Sequence, residues 1–144
     1  MDIKYRKAEI ENVPYILDIL NSVSGNTEDI VPAQFLVATA ENKIVGCIRI
    51  KKIGGYYKLS SLAVVPDYRR KGIGSLLIKN ILNENASRPV YLFCNIKNVN
   101  FYEKFGFKKV EAVNISDVLQ EDYNKLLNSN FAGNTNLLVA MILL

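Results

Sequence analysis

The residues with the clearest chemical meaning form one short basic segment that contains two glycines, Arg69-Arg70-Lys71-Gly72-Ile73-Gly74-Ser75. The segment follows an apolar run closed by Pro66, and a periodicity typical of a helix begins inside it. The first turn of a helix has unpaired N–H groups and the positive end of the helix dipole. The segment therefore predicts an anion site, and a pyrophosphate fits such a site.

Several kinds of nucleotide site place glycines before a helix. A Walker loop needs Gly-Lys-Ser/Thr at a fixed distance after an earlier glycine, and this segment does not match it. A dinucleotide fingerprint needs a third glycine, where this chain has Leu77. A third pattern is the acetyltransferase pyrophosphate loop, Arg/Gln-x-x-Gly-x-Gly/Ala, which Arg69, Gly72 and Gly74 fit. Because that pattern is short, a structural turn with solvated basic residues is the alternative.

The composition excludes several other chemistries. The chain has 144 residues and no histidine, so it lacks the commonest metal ligand and the commonest general base. A zinc site and a Ser-His-Asp triad are not expected. The cysteines, Cys47 and Cys94, lie in apolar runs and are expected to be buried thiols. The net charge of +4 favours anionic ligands but is too small to imply nucleic acid.

A second segment, residues 95–107, combines polar and aromatic side chains. Phe101, Phe105 and Phe107 are explained by a helix that packs in the core, with Gly106 as its left-handed end. Core packing does not explain Asn95 and Tyr102, nor why this segment follows the basic one by a helix and a strand. These two residues are therefore candidates for a functional site.

Apolar periodicity predicts the elements that position these residues. An amphipathic helix is expected where apolar residues recur three and four apart, with Asn12 as its cap and Pro14 in its first turn. An antiparallel meander followed by a strand–helix–strand unit predicts one mixed α/β domain over residues 1–144. The predicted order is strand 3–9, helix 13–23, loop 24–33, hairpin strands 35–40 and 44–53, strand 56–65, a helix opened by the basic segment, strand 89–94, helix 98–105, strand 107–113, helix 115–128, a break at Gly133-Asn134 and a last strand 137–144.

Residues 62–77 and 95–107 together resemble the two motifs of the GNAT superfamily of N-acetyltransferases in order, spacing and flanking elements. The resemblance implies a fold over essentially the whole chain. That fold is α/β, with a mostly antiparallel twisted sheet of about seven strands flanked by helices and splayed between its fourth and fifth strands.

The resemblance also implies a role for each matching residue. The backbone of the fourth strand would pair with the pantetheine arm of acetyl-CoA and polarise its thioester carbonyl. The basic loop would wrap the pyrophosphate, Asn95 would contact the cofactor, and Tyr102 would protonate the departing thiolate. The implied binding residues are Leu62, Ala63, Val64, Val65, Arg69, Arg70, Lys71, Gly72, Ile73, Gly74, Ser75, Asn95 and Tyr102.

One position departs from the pattern. Many relatives carry a glutamate on the fourth strand, four residues before the leucine that matches Leu62, and this chain has Lys58 there. A lysine cannot replace the glutamate as the base unless its pKa is strongly depressed. An ordered water or another carboxylate would therefore take the proton of the amine. Glu28 and Asp29 are candidates because their loop often lines the acceptor site in this family, although solvated loop charges are the alternative. Lys58 would attract an acidic acceptor or face solvent.

The resemblance implies an enzyme that transfers an acetyl group from acetyl-CoA to a primary amine by direct attack, without a covalent intermediate and without a metal. A small amine or amino acid is favoured over a protein as the acceptor. A CoA-binding module with little catalysis is the alternative, because Lys58 replaces the glutamate. Neither nucleic acid nor a membrane is expected as a partner, a homodimer is left open, and the expected location is the cytoplasm.

Overall fold

The structure is a computed structural model that describes residues 2–129 and 137–144. The predicted break at Gly133-Asn134 lies outside the described residues. Seven strands form one sheet in the order β1-β2-β3-β4-β5-β7-β6. The strands are β1 Ile3–Lys7, β2 Phe35–Ala40, β3 Lys43–Ile53, β4 Tyr56–Val64, β5 Val90–Asn95, β6 Lys108–Val110 and β7 Leu138–Leu143. The helices are α1 Val13–Ser22, α2 Ile73–Glu84, α3 Val99–Glu103 and α4 Asp117–Asn128.

The mixed α/β architecture and the mostly antiparallel sheet are confirmed. β4 and β5 form a parallel pair, whereas β1–β2, β2–β3, β5–β7 and β6–β7 are antiparallel. The register between β4 and β5 joins residues 57–59 to residues 90–92, although β4 continues to Val64 and β5 to Asn95. Short parallel pairing at this point is what a sheet splayed between its fourth and fifth strands requires.

The chain forms two compact units. The first holds the described residues up to Ile50 together with Ser60–Ala86, and the second holds Lys51–Leu59 and the described part of Ser87–Leu144. Both β3 and β4 therefore contribute residues to each unit. The single domain expected over residues 1–144 stays a prediction.

The first unit is built around α1 and the strands beneath it. The helix buries Ile16, Ile19 and Leu20, which are spaced as the sequence predicts, against the apolar side chains of β2 and β3. Pro14 lies in the first turn as expected. Asn12 does not cap α1 with its side chain. Its Oδ1 instead accepts hydrogen bonds from the Glu9 N–H at 2.8 Å and from Arg6 at 2.9 Å, so it closes the preceding turn.

The second unit is built around β5, whose residues 90–94 are all buried. Helix α4 packs Leu119 and the neighbouring Ile115 into a cluster with Tyr91 and Phe93 of β5 and with β7. A strand lined by apolar residues on both faces is the expectation for a central strand, and it is confirmed here. The cluster holds α4 against the strands, so residues 115–128 form a packed element.

Some predicted boundaries were too generous. β1 ends at Lys7 because a short turn over Ile10–Asn12 follows, and β6 covers Lys108–Val110 because a turn over Ala112–Asn114 ends it. Gly106 has φ 97°, as expected for a residue that ends a helix. Turns with their own hydrogen bonds are what shortened these elements, and apolar pattern alone does not reveal them.

Candidate functional site

The basic segment of the first unit opens α2, as predicted. A turn over Pro66–Tyr68 follows β4, and Gly72 is the N-cap of the helix with φ 80°. The helical hydrogen bonds begin with the Leu76 N–H, which donates to the Gly72 carbonyl at 3.1 Å. The N–H groups of Ile73, Gly74 and Ser75 come before that bond, at the positive end of a helix of 12 residues.

The conformation of this loop depends on two left-handed residues, Arg70 with φ 62° and Gly72 with φ 80°. A side chain at position 72 would meet no atom within 4 Å, so the glycine is needed for its φ and not for space. Ile73 is 2% exposed and anchors the helix start in the core. The exposed backbone at Gly72 thereby faces open space next to the first turn of α2.

Three cations surround this turn, and all three side chains are exposed: Arg69, Arg70 and Lys71. The Nε of Arg69 donates to the Val64 carbonyl at 2.8 Å, which ties the loop to the end of β4. Arg70 and Lys71 add positive charge at the surface. An exposed helix start with three adjacent cations suits a multiply charged anion.

Three of the four residues expected to face the pantetheine arm lie on the second half of β4, and the fourth, Val65, follows it directly. Ser61 is left-handed with φ 59°, and its carbonyl accepts a hydrogen bond from the Cys47 thiol at 3.4 Å. The Val65 N–H donates to the Val45 carbonyl at 2.8 Å. The Val65 amide and the Val64 carbonyl, which accepts from Arg69, are therefore engaged within this unit. Leu62 and Ala63 complete the set, and the Ala63 side chain is buried.

In the second unit, Asn95 lies at the end of β5 and caps the turn over Ile96–Asn98. Its Oδ1 accepts a hydrogen bond from the Lys97 N–H at 2.9 Å. This bond fixes the orientation of the Asn95 side chain, because an N-cap oxygen holds the backbone that follows it. The residue therefore has a defined structural role beside the one that the resemblance implies.

Tyr102 lies in α3, where its half-buried ring packs edge-on against Phe101 at 5.2 Å and Phe107 at 6.2 Å between centroids. Burial raises the pKa of Tyr102, and the nearby Cys94 raises it further. Burial also raises the pKa of Cys94 to about 11, and its sulfur lies 3.8 Å from the sulfur of Met141. At neutral pH both groups keep their protons, so the Tyr102 hydroxyl and the Cys94 thiol are both neutral.

Lys58 is buried, with 8% of the residue exposed, so the expectation that it faces solvent is wrong. Its Nζ lies 2.5 Å from Oδ2 of Asp122 on α4 and 5.3 Å from the centroid of the Phe93 ring. Sequence reasoning missed Asp122. A signal was present, because Asp122 falls on the apolar face of α4 that also carries Leu119, Tyr123 and Leu126.

Glu28 and Asp29, the candidate bases of the first unit, have exposed side chains. Their backbone is held by Arg49, a second residue that sequence reasoning missed. Arg49 is 3% exposed and donates to the Glu28 carbonyl at 3.3 Å, the Asp29 carbonyl at 2.5 Å and the Gln34 side chain at 2.8 Å. Burial lowers the pKa of Arg49, and Asp29 partly opposes that shift. The loop between α1 and β2 is thus tied to β3 through its backbone.

Neither a metal site nor a membrane span is found in the part of the chain that the structure describes. No group of three or more His, Cys, Asp or Glu side chains among residues 2–129 and 137–144 is placed to hold a metal ion. No helix within the same residues is long and apolar enough to cross a membrane.

Comparison with known sequences identifies a family model and several relatives that match this chain. The family model described as an acetyltransferase (GNAT) domain matches residues 32–109, more than half of the chain. An N-alpha-acetyltransferase of Saccharolobus solfataricus is 31% identical over an alignment of 98 residues, and the match covers 55% of this chain and 59% of that protein. One of Sulfurisphaera tokodaii is 31% identical over an alignment of 100 residues, and the match covers 56% of this chain and 60% of that protein. The matches span less than two thirds of either relative.

Solved structures share the fold at low sequence identity. N-acetylglutamate synthase from Neisseria gonorrhoeae, complexed with coenzyme A and N-acetyl-glutamate, has a TM-score of 0.83 at 13% identity and covers 99% of this chain and 35% of that one. Rv2747 from Mycobacterium tuberculosis, in complex with CoA and NLQ, has a TM-score of 0.74 at 20% identity and covers 98% of both chains. At these identities the likeness concerns the fold alone.

Proposed function

This chain belongs to the GNAT acetyltransferase domain family, and from that premise we propose that it transfers an acetyl group from acetyl-CoA to a primary amine. The observation that carries the proposal is the loop of residues 69–75, hereafter the donor loop. It combines an exposed helix start, a left-handed glycine and three exposed cations. This is the arrangement that a pyrophosphate needs.

In this proposal the pyrophosphate of acetyl-CoA binds the N–H groups of Ile73, Gly74 and Ser75. Arg70 and Lys71 supply charge, while Arg69 is engaged with the Val64 carbonyl and holds the loop to the strand. Gly72 allows the backbone to turn toward the ligand. The buried side chain of Ile73 anchors the first turn of α2 in the core and so supports the anion site.

The pantetheine arm would pair with the backbone of β4 at Leu62, Ala63 and Val64. Val65 was expected to take part as well, but its N–H already donates to Val45. Val65 stays in the proposed set through its carbonyl oxygen, while its N–H ties the end of β4 to β3. Asn95 contributes a cofactor contact in the same proposal, beside its role in capping the turn after β5.

The chemistry is direct attack of an amine on a thioester. The amine nitrogen bonds to the carbonyl carbon, a tetrahedral intermediate forms, and its oxyanion requires N–H donors. The carbon–sulfur bond then breaks, and Tyr102 gives its phenolic proton to the departing thiolate. A Tyr102 whose pKa is raised by burial holds that proton at neutral pH. Cys94 takes no part as a nucleophile, because its buried thiol stays protonated.

The acceptor that we favour is a small amine or an amino acid. The support comes from a fold neighbour that was crystallised with N-acetyl-glutamate. The curated relatives named N-alpha-acetyltransferases keep a protein amino group as the competing acceptor class. A cytoplasmic location belongs to the same proposal, and a fluorescent fusion tests it. Light scattering after gel filtration distinguishes a monomer from a homodimer.

The test has two stages. Isothermal titration with acetyl-CoA measures donor binding, and thiol release from acetyl-CoA is then followed over a panel of amino acids, polyamines and peptides. Turnover with at least one amine supports the enzyme. Binding without turnover over the whole panel supports the second candidate, a CoA-binding module, which the lysine at position 58 favours. Absence of binding contradicts both.

A further inference from the structure

An amine that attacks a thioester must first lose a proton, and few groups of this chain can accept one. The sequence holds no histidine. Burial raises the pKa of Cys47 to about 12 and that of Cys94 to about 11, and it raises the pKa of Tyr102. These groups hold their own protons at neutral pH. The carboxylates are the remaining side chains with the right chemistry.

One carboxylate differs from all the others in its surroundings. The chain has 14 Asp and Glu residues, all within the described part of the chain, and every one except Asp122 is exposed. The Asp122 side chain is 27% exposed. A carboxylate that is partly withdrawn from water interacts more strongly with a nearby charge than a solvated one does. Asp122 is therefore the carboxylate best placed to act on a bound ammonium.

Within residues 2–129 and 137–144, the hydrogen bond and ion pair of Asp122 both involve Oδ2, which leaves Oδ1 for a ligand. Oδ2 is bonded to the ammonium of Lys58, which reaches it from β4 and lies over the Phe93 ring of β5. The next residue, Tyr123, packs edge-on against Phe93 at 5.1 Å and donates its hydroxyl to the Leu138 carbonyl at 2.9 Å. These bonds hold the helix face that carries Asp122, and the partial exposure of its side chain gives a small polar ligand access to it.

From this geometry we infer that Asp122 accepts the proton of the acceptor amine and that Lys58 positions Asp122. The inference rests on the proposed acetyl transfer. Lys58 occupies the position on β4 at which the resemblance leads one to expect a glutamate. The carboxylate of Asp122 on α4 is bonded to the ammonium of this lysine. The positive charge of Lys58 offsets the cost of a half-buried carboxylate and fixes the orientation of its two oxygens.

The proton count closes. The amine enters as an ammonium with three N–H bonds and ends as an amide with one. The first proton moves to the free oxygen of Asp122, which leaves the lone pair on nitrogen for attack, and Asp122 then returns this proton to water. The second leaves nitrogen after the carbon–nitrogen bond forms, and it replaces the proton that Tyr102 gives to the thiolate. One proton is released for each acetyl group transferred.

The experiment compares Asp122→Asn with the wild-type enzyme and with Glu121→Gln, which changes an exposed carboxylate on the same helix. For Asp122→Asn we expect kcat/KM for the amine to fall by about 100-fold, within the range for general base catalysis. The Kd for acetyl-CoA should stay unchanged. Glu121→Gln should match the wild type in both measurements.

A second variant separates catalysis from a merely structural effect. Lys58→Glu combined with Asp122→Asn moves the carboxylate from α4 to β4, and we expect at least about tenfold recovery of kcat/KM relative to Asp122→Asn, since the base is restored. Lys58→Met combined with Asp122→Asn removes both charges and should stay inactive while folded. If Asp122→Asn alone does not fold, these two double variants carry the comparison.

Each outcome has one meaning. Wild-type turnover in Asp122→Asn, or equal activity in the two double variants, overturns the role of Asp122 and leaves the proposed function intact. A wild-type chain that binds acetyl-CoA but acetylates no amine overturns the proposed function first. Loss of turnover in Asp122→Asn with recovery in the Lys58→Glu double variant supports the inference.

Discussion

The donor loop of the first unit and the Lys58–Asp122 pair of the second place charge in opposite environments. The donor loop presents three consecutive cations that are exposed, on a backbone shaped by two left-handed residues. The pair joins residues 64 positions apart, and its lysine is buried. Exposed charges at a helix start are solvated, so removing one changes the free energy of unfolding little. A buried charge is stabilised by its partner, so removing that partner destabilises the fold. Side-chain changes should therefore matter more in the second unit, and backbone changes more in the donor loop.

The largest effect that we expect comes from Tyr102→Phe. The ring contacts with Phe101 and Phe107 are kept, but the proton for the thiolate is lost. A drop in kcat of about 100-fold, or about 2.7 kcal/mol, should be seen by steady-state thiol release. Burial raises the pKa of Tyr102 above 10.0. Since the protonated form is the active one, kcat should not fall through titration of Tyr102 until the pH exceeds 10.0.

The matched control is Tyr123→Phe, which removes the hydroxyl that donates to the Leu138 carbonyl in the same unit. It should lower the free energy of unfolding by about 1 kcal/mol and lower kcat far less than Tyr102→Phe does. If Tyr102→Phe retains wild-type turnover at every pH, then Tyr102 is not the acid. The larger effect of side-chain changes in the second unit would then depend on the Lys58–Asp122 pair alone.

The next effect is on stability, in Lys58→Met. Methionine fills the space over Phe93 but leaves the Asp122 carboxylate half-buried without its cation. We expect the free energy of unfolding in urea to fall by about 2 kcal/mol, below the value for a fully buried pair because Asp122 retains some exposure. Adding Asp122→Asn should recover most of the loss. A double variant as unstable as the single one would show that the pair does not couple α4 to β4.

These two regions also differ in how far the sequence predicts them. The donor loop is contiguous, so Arg69, Gly72 and Gly74 indicate both its anion and its helix. The pair is assembled by the docking of α4. The sequence places Asp122 on the apolar face of that helix, but its pairing with Lys58 follows from packing that no local pattern encodes. Arg49 was missed for the same reason, because its partners at Glu28 and Asp29 are backbone carbonyls about 20 residues away.

Element types were predicted well because apolar periodicity reflects burial, and the helix α1 and the central strand β5 show this directly. Element ends were predicted less well because short turns, such as that over Ala112–Asn114, depend on individual hydrogen bonds. The hydrogen bond from the Val65 N–H to the Val45 carbonyl is another feature that depends on individual hydrogen bonds. Which of several adjacent backbone groups remains available to a ligand is decided by strand pairing and not by residue type.

A smaller effect is expected from a backbone change in the donor loop. Gly72→Val forces a β-branched residue into a conformation with φ 80°, although its side chain would meet no atom. We expect the Kd for acetyl-CoA to rise by about tenfold, measured by titration, because the turn opens to relieve strain. Gly72→Asn is the control, since asparagine tolerates left-handed φ, and its affinity should stay near the wild-type value. Equal affinities in both variants would show that the φ of residue 72 does not shape the anion site.

The smallest expected effect concerns the turn between β3 and β4, where two adjacent glycines are a matched pair. Gly54 and Gly55 are both left-handed, with φ 54° and 90°. A Cβ on Gly54 would lie 2.8 Å from Cγ1 of Val118 on α4, whereas a Cβ on Gly55 would meet nothing within 4 Å. Both alanine variants carry left-handed strain, and only the Cβ at position 54 also meets α4.

We expect Gly54→Ala to be less stable than Gly55→Ala by about 1 kcal/mol in urea unfolding, because a clash with a packed side chain is added. Adding Val118→Ala to Gly54→Ala should shrink that difference, since the side chain that the new Cβ meets is shortened. If the two alanine variants are equally stable, then α4 moves to accommodate the new Cβ at this turn. The helix that carries Asp122 would then be held by its apolar cluster around Leu119 and by the Lys58 pair, without help from the β3–β4 turn.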